Sequence, residues 1–222
     1  DILWRQPVGV GMSNVAVAGD LVYTLFQDAE QQYMIALNVE TGKEKWKVAV
    51  APAYENAMGN GPRATPTVHD ETVFGFTGEG VLFAVGAKSG ALKWKSNAPK
   101  ELVCKPSEYG MASSPLVHGT NIIVQVGSHR GAVAAFDQAS GRMVWAAGEG
   151  RAGYSSPMIA TLAGREQIVA FIGEDVLGID PVKGDVLWSY EYKTDYDCNT
   201  ATPVALDEST MLISAGENHG ST

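Results

Sequence analysis

Positive charge is scarce in this sequence and nowhere concentrated. Lysine and arginine total 16 against 25 aspartates and glutamates, a net charge of −9. Phosphate backbones and anionic bilayers are held by clustered Lys and Arg, so the composition argues against a nucleic acid or a membrane surface as partner. Long apolar runs are missing too: no stretch of 18 apolar residues occurs, and nothing reads as a membrane span. No basic-then-apolar leader opens the chain. Residue 1 already reads as folded sequence, so any leader is expected to have been removed or trimmed. There are two cysteines, Cys104 and Cys198. Two are too few for a disulfide framework, and their separation rules out a CxxC site; whether they pair is left open. Sustained 3.6-residue periodicity is also absent, so almost no helix is expected.

What the sequence has is apolar content and repetition. Hydrophobic residues make up 45% of 222 positions, enough to bury a core. An eleven-residue phrase recurs: ALNVETGKEKW at 36–46, AVGAKSGALKW at 84–94, AFDQASGRMVW at 135–145 and GIDPVKGDVLW at 178–188. Trp46, Trp94, Trp145 and Trp188 are spaced by 48, 51 and 43 residues, and Trp4 stands 42 residues before the first. Gly42, Gly90, Gly141 and Gly184 lie four residues before them. A second phrase falls between the tryptophans: ATPTV at 64–68, SSPLV at 113–117, SSPMI at 155–159 and ATPVA at 201–205, with SNVAV at 13–17 lacking the proline. A short turn, a β-rich run, a hairpin and another strand then lead to the next tryptophan.

Each unit thus holds four short β segments, A to D, separated by Gly, Asp, Asn and Ser. Repeated four-stranded units of 40 to 50 residues are the signature of an all-β propeller built of antiparallel blades. The expected layout is a blade tail at 1–12, blades at about 13–50, 61–98, 110–148 and 153–192, and a partial blade at 199–222. Within the phrase, Asn38, Asp137 or Asp180 sits just after strand C, where its side chain can accept backbone N–H groups two residues on. The glycine supplies the positive φ of a tight C–D turn. Tryptophan then enters strand D. Its ring is expected to lie between neighbouring blades, with one buried acceptor for the indole N–H. The small residue heading the phrase (Ala36, Ala84, Ala135, Gly178) leaves room for it.

The phrase resembles the tryptophan-docking motif of quinoprotein alcohol dehydrogenase-like propellers, the PQQ-like repeats, whose pattern is roughly A-x-D-x-x-T-G-x-x-x-W. The resemblance covers nearly the whole chain. Gly86 departs from the pattern in the second copy and Lys183 in the fourth. The GPRATPT and GYSSPM phrases look most like the periplasmic members related to the BamB lipoprotein and to polyvinyl-alcohol dehydrogenase-like chains. The family usually has eight blades, which at about 46 residues each would need roughly 370 residues. The chain is therefore expected to be part of a longer seven- or eight-bladed ring; the alternative is an irregular five-bladed ring completed by the N-terminal strand.

In such a meander the A–B and C–D turns share one face, and the D–A connections and B–C hairpins share the other. Loop variety puts binding on the second face. It carries Arg63, Tyr109, Tyr154 and Asn199 in D–A connections, with Cys104, Lys105, Arg151, Asp195 and Asp197. Its hairpins carry Glu79, His129, Arg130, Glu174 and Asp175. Arg63, Tyr154 and Asn199, just before the proline phrase, are expected to point into the funnel of a closed ring. Each has a structural alternative: an arginine there can bond loop carbonyls, and a tyrosine can close the blade top. The four histidines have no zinc spacing. The acidic loop shows no calcium constellation, and Ser155 and Ser156 form no nucleophile elbow.

Two functions follow. The recurring residues are all accounted for by inter-blade packing, which points to a non-catalytic scaffold binding a protein or peptide, with no cofactor and, by the family resemblance, a periplasmic or otherwise exported location. The resemblance also implies an alternative, a PQQ-dependent alcohol dehydrogenase. Those enzymes hold the quinone against a tryptophan, often with a vicinal Cys-Cys disulfide, a calcium ion and an aspartate base. This chain has no Cys-Cys pair, and its five tryptophans all occupy the docking position. Carbohydrate binding by Tyr54, Tyr109, Tyr154, Tyr190, Tyr192 and Tyr196 is a weaker third reading.

Overall fold

The computed structural model describes residues 1–216 and 219–222; Glu217 and Asn218, within the expected partial blade, lie outside the described residues. Strands β1 (Ala16–Ala18), β2 (Leu21–Gln27), β3 (Gln31–Asn38) and β4 (Glu44–Pro52) form the first antiparallel sheet, in sequence order. The second contains β5 (Thr67–His69), β6 (Thr72–Phe76), β7 (Val81–Gly86) and β8 (Leu92–Asn97). One turn of helix, α1 (Ala98–Glu101), follows. The third sheet is β9 (Leu116–His118), β10 (Asn121–Ser128), β11 (Gly131–Asp137) and β12 (Met143–Ala147); the fourth is β13 (Met158–Leu162), β14 (Arg165–Phe171), β15 (Asp175–Ile179) and β16 (Val186–Glu191). A 3₁₀ turn at Asp195–Asp197 leads to two short hairpins, β17 (Val204–Ala205) with β18 (Met211–Leu212) and β19 (Ser214–Ala215) with β20 (Gly220–Ser221).

The chain divides into two compact units. One comprises Asp1–Asn97, Glu108–Pro115 and Ala139–Gly141; the other comprises Ala98–Ser107, Leu116–Gln138 and Arg142–Thr222. In the first, Leu25, Met34, Ala36, Val50, Val73, Phe83 and Val85 pack around Trp46. The proline phrases of successive repeats also meet there: Thr65 N donates to Ser114 Oγ at 3.0 Å, and Thr67 Oγ1 donates to the Pro115 carbonyl at 2.5 Å. In the second unit, Ile123, Val133, Ala135, Ile168, Ile172, Leu177 and Ile179 pack around Trp145.

The repeated phrase builds one local structure four times. The small residue heading it stands directly across the C–D ladder from the tryptophan: Ala36 from Trp46, Ala84 from Trp94, Ala135 from Trp145 and Gly178 from Trp188. Immediately after that pair the register slips by a bulge in all four sheets, which bends the strand and increases its twist. In the turn, Asn38 Oδ1 accepts from Thr41 N at 3.0 Å, and Asp180 Oδ1 accepts from Val182 N at 2.9 Å and Lys183 N at 2.8 Å. The turn glycines have φ between +67° and +78°.

Candidate functional site

Each turn glycine also receives the tryptophan of the preceding phrase, a contact the spacing alone did not disclose. A Cβ built on Gly42 would stand 2.6 Å from the Trp4 ring, one on Gly90 2.6 Å from Trp46, one on Gly141 2.4 Å from Trp94 and one on Gly184 2.7 Å from Trp145. Only glycine admits the ring at that approach. Trp4 Nε1 donates to Val39 O and Trp46 Nε1 to Ala87 O, carbonyls of the same turns, both at 2.8 Å. The buried Nε1 of Trp145 has no acceptor among the described residues. Trp188 differs. It is half-buried and donates to Gln167 Oε1 of its own sheet at 2.7 Å. A Cβ on its cross-strand partner Gly178 would come within 2.1 Å of Trp188 Nε1, which explains why glycine replaces alanine in that copy.

The three leading funnel candidates make hydrogen bonds to backbone groups of the surrounding loops. Arg63 Nη1 donates to the Gly61 carbonyl and Nη2 to Gly59 O at 2.7 Å, while the guanidinium lies 5.0 Å over the Tyr54 ring. The half-buried Tyr154 gives its backbone N–H to Asn199 O at 3.0 Å. Asn199 is fully buried. Its Nδ2 donates to Ile172 O at 2.7 Å and Gly173 O at 2.9 Å, and its Oδ1 accepts from Thr194. Asn199 thus latches its loop to the end of β14. In the first unit, Glu79 accepts from the buried Gln32 amide at 2.6 Å, and Tyr109 is half-buried. Ser155 is buried and donates to Phe171 O at 2.9 Å.

His129 and Arg130 are placed differently. In the second unit they line a cavity of about 650 Å³ with Val103, Cys104, Lys105, Ser128, Arg151 and Glu174. These residues come from two D–A connections and two B–C hairpins, the loop set expected to carry binding. Ser128 fastens the walls together: its Oγ donates to Leu102 O at 2.8 Å and accepts from Arg130 N at 3.0 Å. Nothing in its sequence neighbourhood signalled that role. Arg151 Nη1 pairs with Asp197 Oδ2 at 2.8 Å. Burial pushes the Cys104 thiol above its ordinary range, against a smaller opposing effect of the Ser128 hydrogen bond, so it is a weak nucleophile. Cys104 and Cys198 are not joined in a disulfide. The cavity can hold an anion through ammonium and guanidinium donors.

The four sheets are blades of a β-propeller. Residues 35–219 match the family model described as outer membrane protein assembly factor BamB, and the chain belongs to that family of PQQ-like propeller proteins. No curated protein sequence matches it. Among solved structures it is similar to BamB from Moraxella catarrhalis, with 17% identity and a TM-score of 0.65 over 93% of this chain and 58% of that one. The quinohemoprotein alcohol dehydrogenase of Comamonas testosteroni aligns with 14% identity and a TM-score of 0.63, over 93% of this chain and 40% of the enzyme. One from Pseudomonas putida HK5 aligns with 16% identity and a TM-score of 0.58, over 80% and 34%. The chain thus spans 58% or less of each of these structures. No described helix is long and apolar enough to cross a membrane.

Proposed function

We propose that this chain is part of a non-catalytic, exported propeller that binds a protein partner through its D–A connections and B–C hairpins. The observation that carries this reading is the allocation of its aromatic rings. Trp46, Trp94 and Trp145 are each only 9% exposed, with their faces against Gly90, Gly141 and Gly184. Membership of the BamB family supports a protein partner and an exported location.

The quinone alternative fares less well on the residues present. A quinone needs a free flat ring to lie on, and calcium needs six or more converging oxygens. The three buried indoles are already covered, and Trp188 is turned onto its own sheet. Among the described residues no group of three His, Cys, Asp or Glu is placed to hold a metal. The placement of these tryptophans and carboxylates lends the quinone reading no support.

The test is photo-crosslinking in the intact cell envelope, with the reactive group placed at His129 or Arg130 and, as control, at Lys183 on a C–D turn. A discrete crosslinked protein from the first two positions and none from Lys183 is the expected result. Stoichiometric PQQ uptake by the full-length protein, with calcium-dependent dye reduction by alcohols, would overturn the reading.

A further inference from the structure

Resting on the scaffold reading, we propose that the cavity beside His129 and Arg130 is a receptor for an acidic peptide segment. Its walls gather Lys105, His129, Arg130 and Arg151 from three separate stretches of a chain whose net charge is −9. Among the lining residues Glu174 opposes them, and Asp197 pairs with Arg151. Among the described residues Lys105, His129 and Arg130 make no ion pair. The Lys105 ammonium and the Arg130 guanidinium are therefore available to a carboxylate, which takes the charge-assisted, fork-shaped bonds that guanidinium groups offer.

A second, independent feature marks the same wall. Val103 holds φ at +54° and is 68% exposed. A β-branched residue in the left-handed region is a strained outlier, and such strain concentrates at ligand clamps. It places an apolar group beside the cations. The size of the cavity, about 650 Å³, suits several side chains, and a lone inorganic anion would leave most of it to water. A peptide carrying two carboxylates around an aliphatic residue matches both the charge and the apolar wall.

The probe is a fluorescein-labelled octapeptide of alternating glutamate and valine, with glutamine replacing glutamate in the control, titrated by polarisation into the full chain at low and high salt. The acidic peptide is expected to saturate and to weaken with salt, while the glutamine peptide binds at least tenfold less well. The double variant Lys105→Gln/Arg130→Gln is expected to lose at least tenfold, and Lys183→Gln to change nothing; all three positions are exposed, and unchanged thermal unfolding verifies the fold. Equal binding of both peptides, no binding, or an equal loss in Lys183→Gln would overturn the proposal. So would displacement of the peptide by equimolar succinate or phosphate, which would make the ligand a small free anion. A crosslinked partner in the envelope combined with no peptide binding would sink this inference and leave the scaffold reading standing.

Discussion

The indole nitrogen of Trp46 stands 2.8 Å from the carbonyl oxygen of Ala87, whereas the same atom of Trp145 is buried without an acceptor. The two rings are equally buried and rest alike on a turn glycine, so they form a natural comparison. Trp46→Phe removes the shorter of two bonds to the Ala87 carbonyl, leaving the one from the Tyr23 hydroxyl at 3.3 Å, and should cost about 1 kcal/mol beyond the loss of ring area. Trp145→Phe removes an unsatisfied donor and should cost less. Trp46→Ala should cost about 3–5 kcal/mol. Urea midpoints of the three variants check the order, and a Trp145→Phe cost equal to that of Trp46→Phe would refute it.

Gly90 and Gly119 separate backbone strain from ring contact. Both have positive φ, +67° and +55°, but a side chain at 119 would meet open space while one at 90 would meet the Trp46 ring. Gly119→Ala should cost about 1 kcal/mol, the left-handed penalty alone. Gly90→Ala adds overpacking and should cost about 3 kcal/mol in total. Equal losses in chemical denaturation would mean that the tryptophan does not press on the turn.

Asp180 makes one of these turns sensitive to acid. The Lys183 and Val182 N–H groups, followed by Arg165, hold its carboxyl below the ordinary carboxylate range. A carboxylate whose folded-state value is depressed stabilises fully above its unfolded value, and that stability is lost as pH falls through the folded one. Asn38 closes the equivalent turn of the first sheet without a charge. Asp180→Asn should therefore lower the unfolding temperature at neutral pH, and the gap from the parent should close on titration below about pH 4. A gap independent of pH would count against the carboxylate.

Asn199 offers a test in the loops. Replacing its amide by alanine leaves the Ile172 and Gly173 carbonyls without this donor, at about 2 kcal/mol. Asn199→Asp is expected to be worse despite its matching shape, because a carboxylate oxygen would face two carbonyl oxygens at 2.7 and 2.9 Å. Hydrogen exchange at Tyr154 and Ser155, whose N–H groups bond the Asn199 carbonyl, should accelerate in both variants.

The legible part of this molecule was the part governed by neighbours in the chain. Turn glycines, the Asx residue four places before three of them and the small residue opposite each tryptophan all act within eleven positions, so the repetition exposed them. The candidate ligand residues were harder to read, because their availability depends on how the loops fold. Arg63 looks like a binding group until Gly59 and Gly61 carbonyls are found on its guanidinium. Asn199 looks like a polar loop residue until it proves to be fully buried.

The sequence by itself determined the repeat, the four-stranded sheets and the loop set from which a site could be built, since turn chemistry and strand alternation are local. Only the tertiary structure decided that Lys105, His129, Arg130 and Arg151 share one cavity, that Trp188 turns back onto Gln167, and that Trp145 lacks the bond Trp46 makes. Those outcomes depend on how strands and loops far apart in the chain pack and on whether a carbonyl meets an indole. No spacing of letters records either.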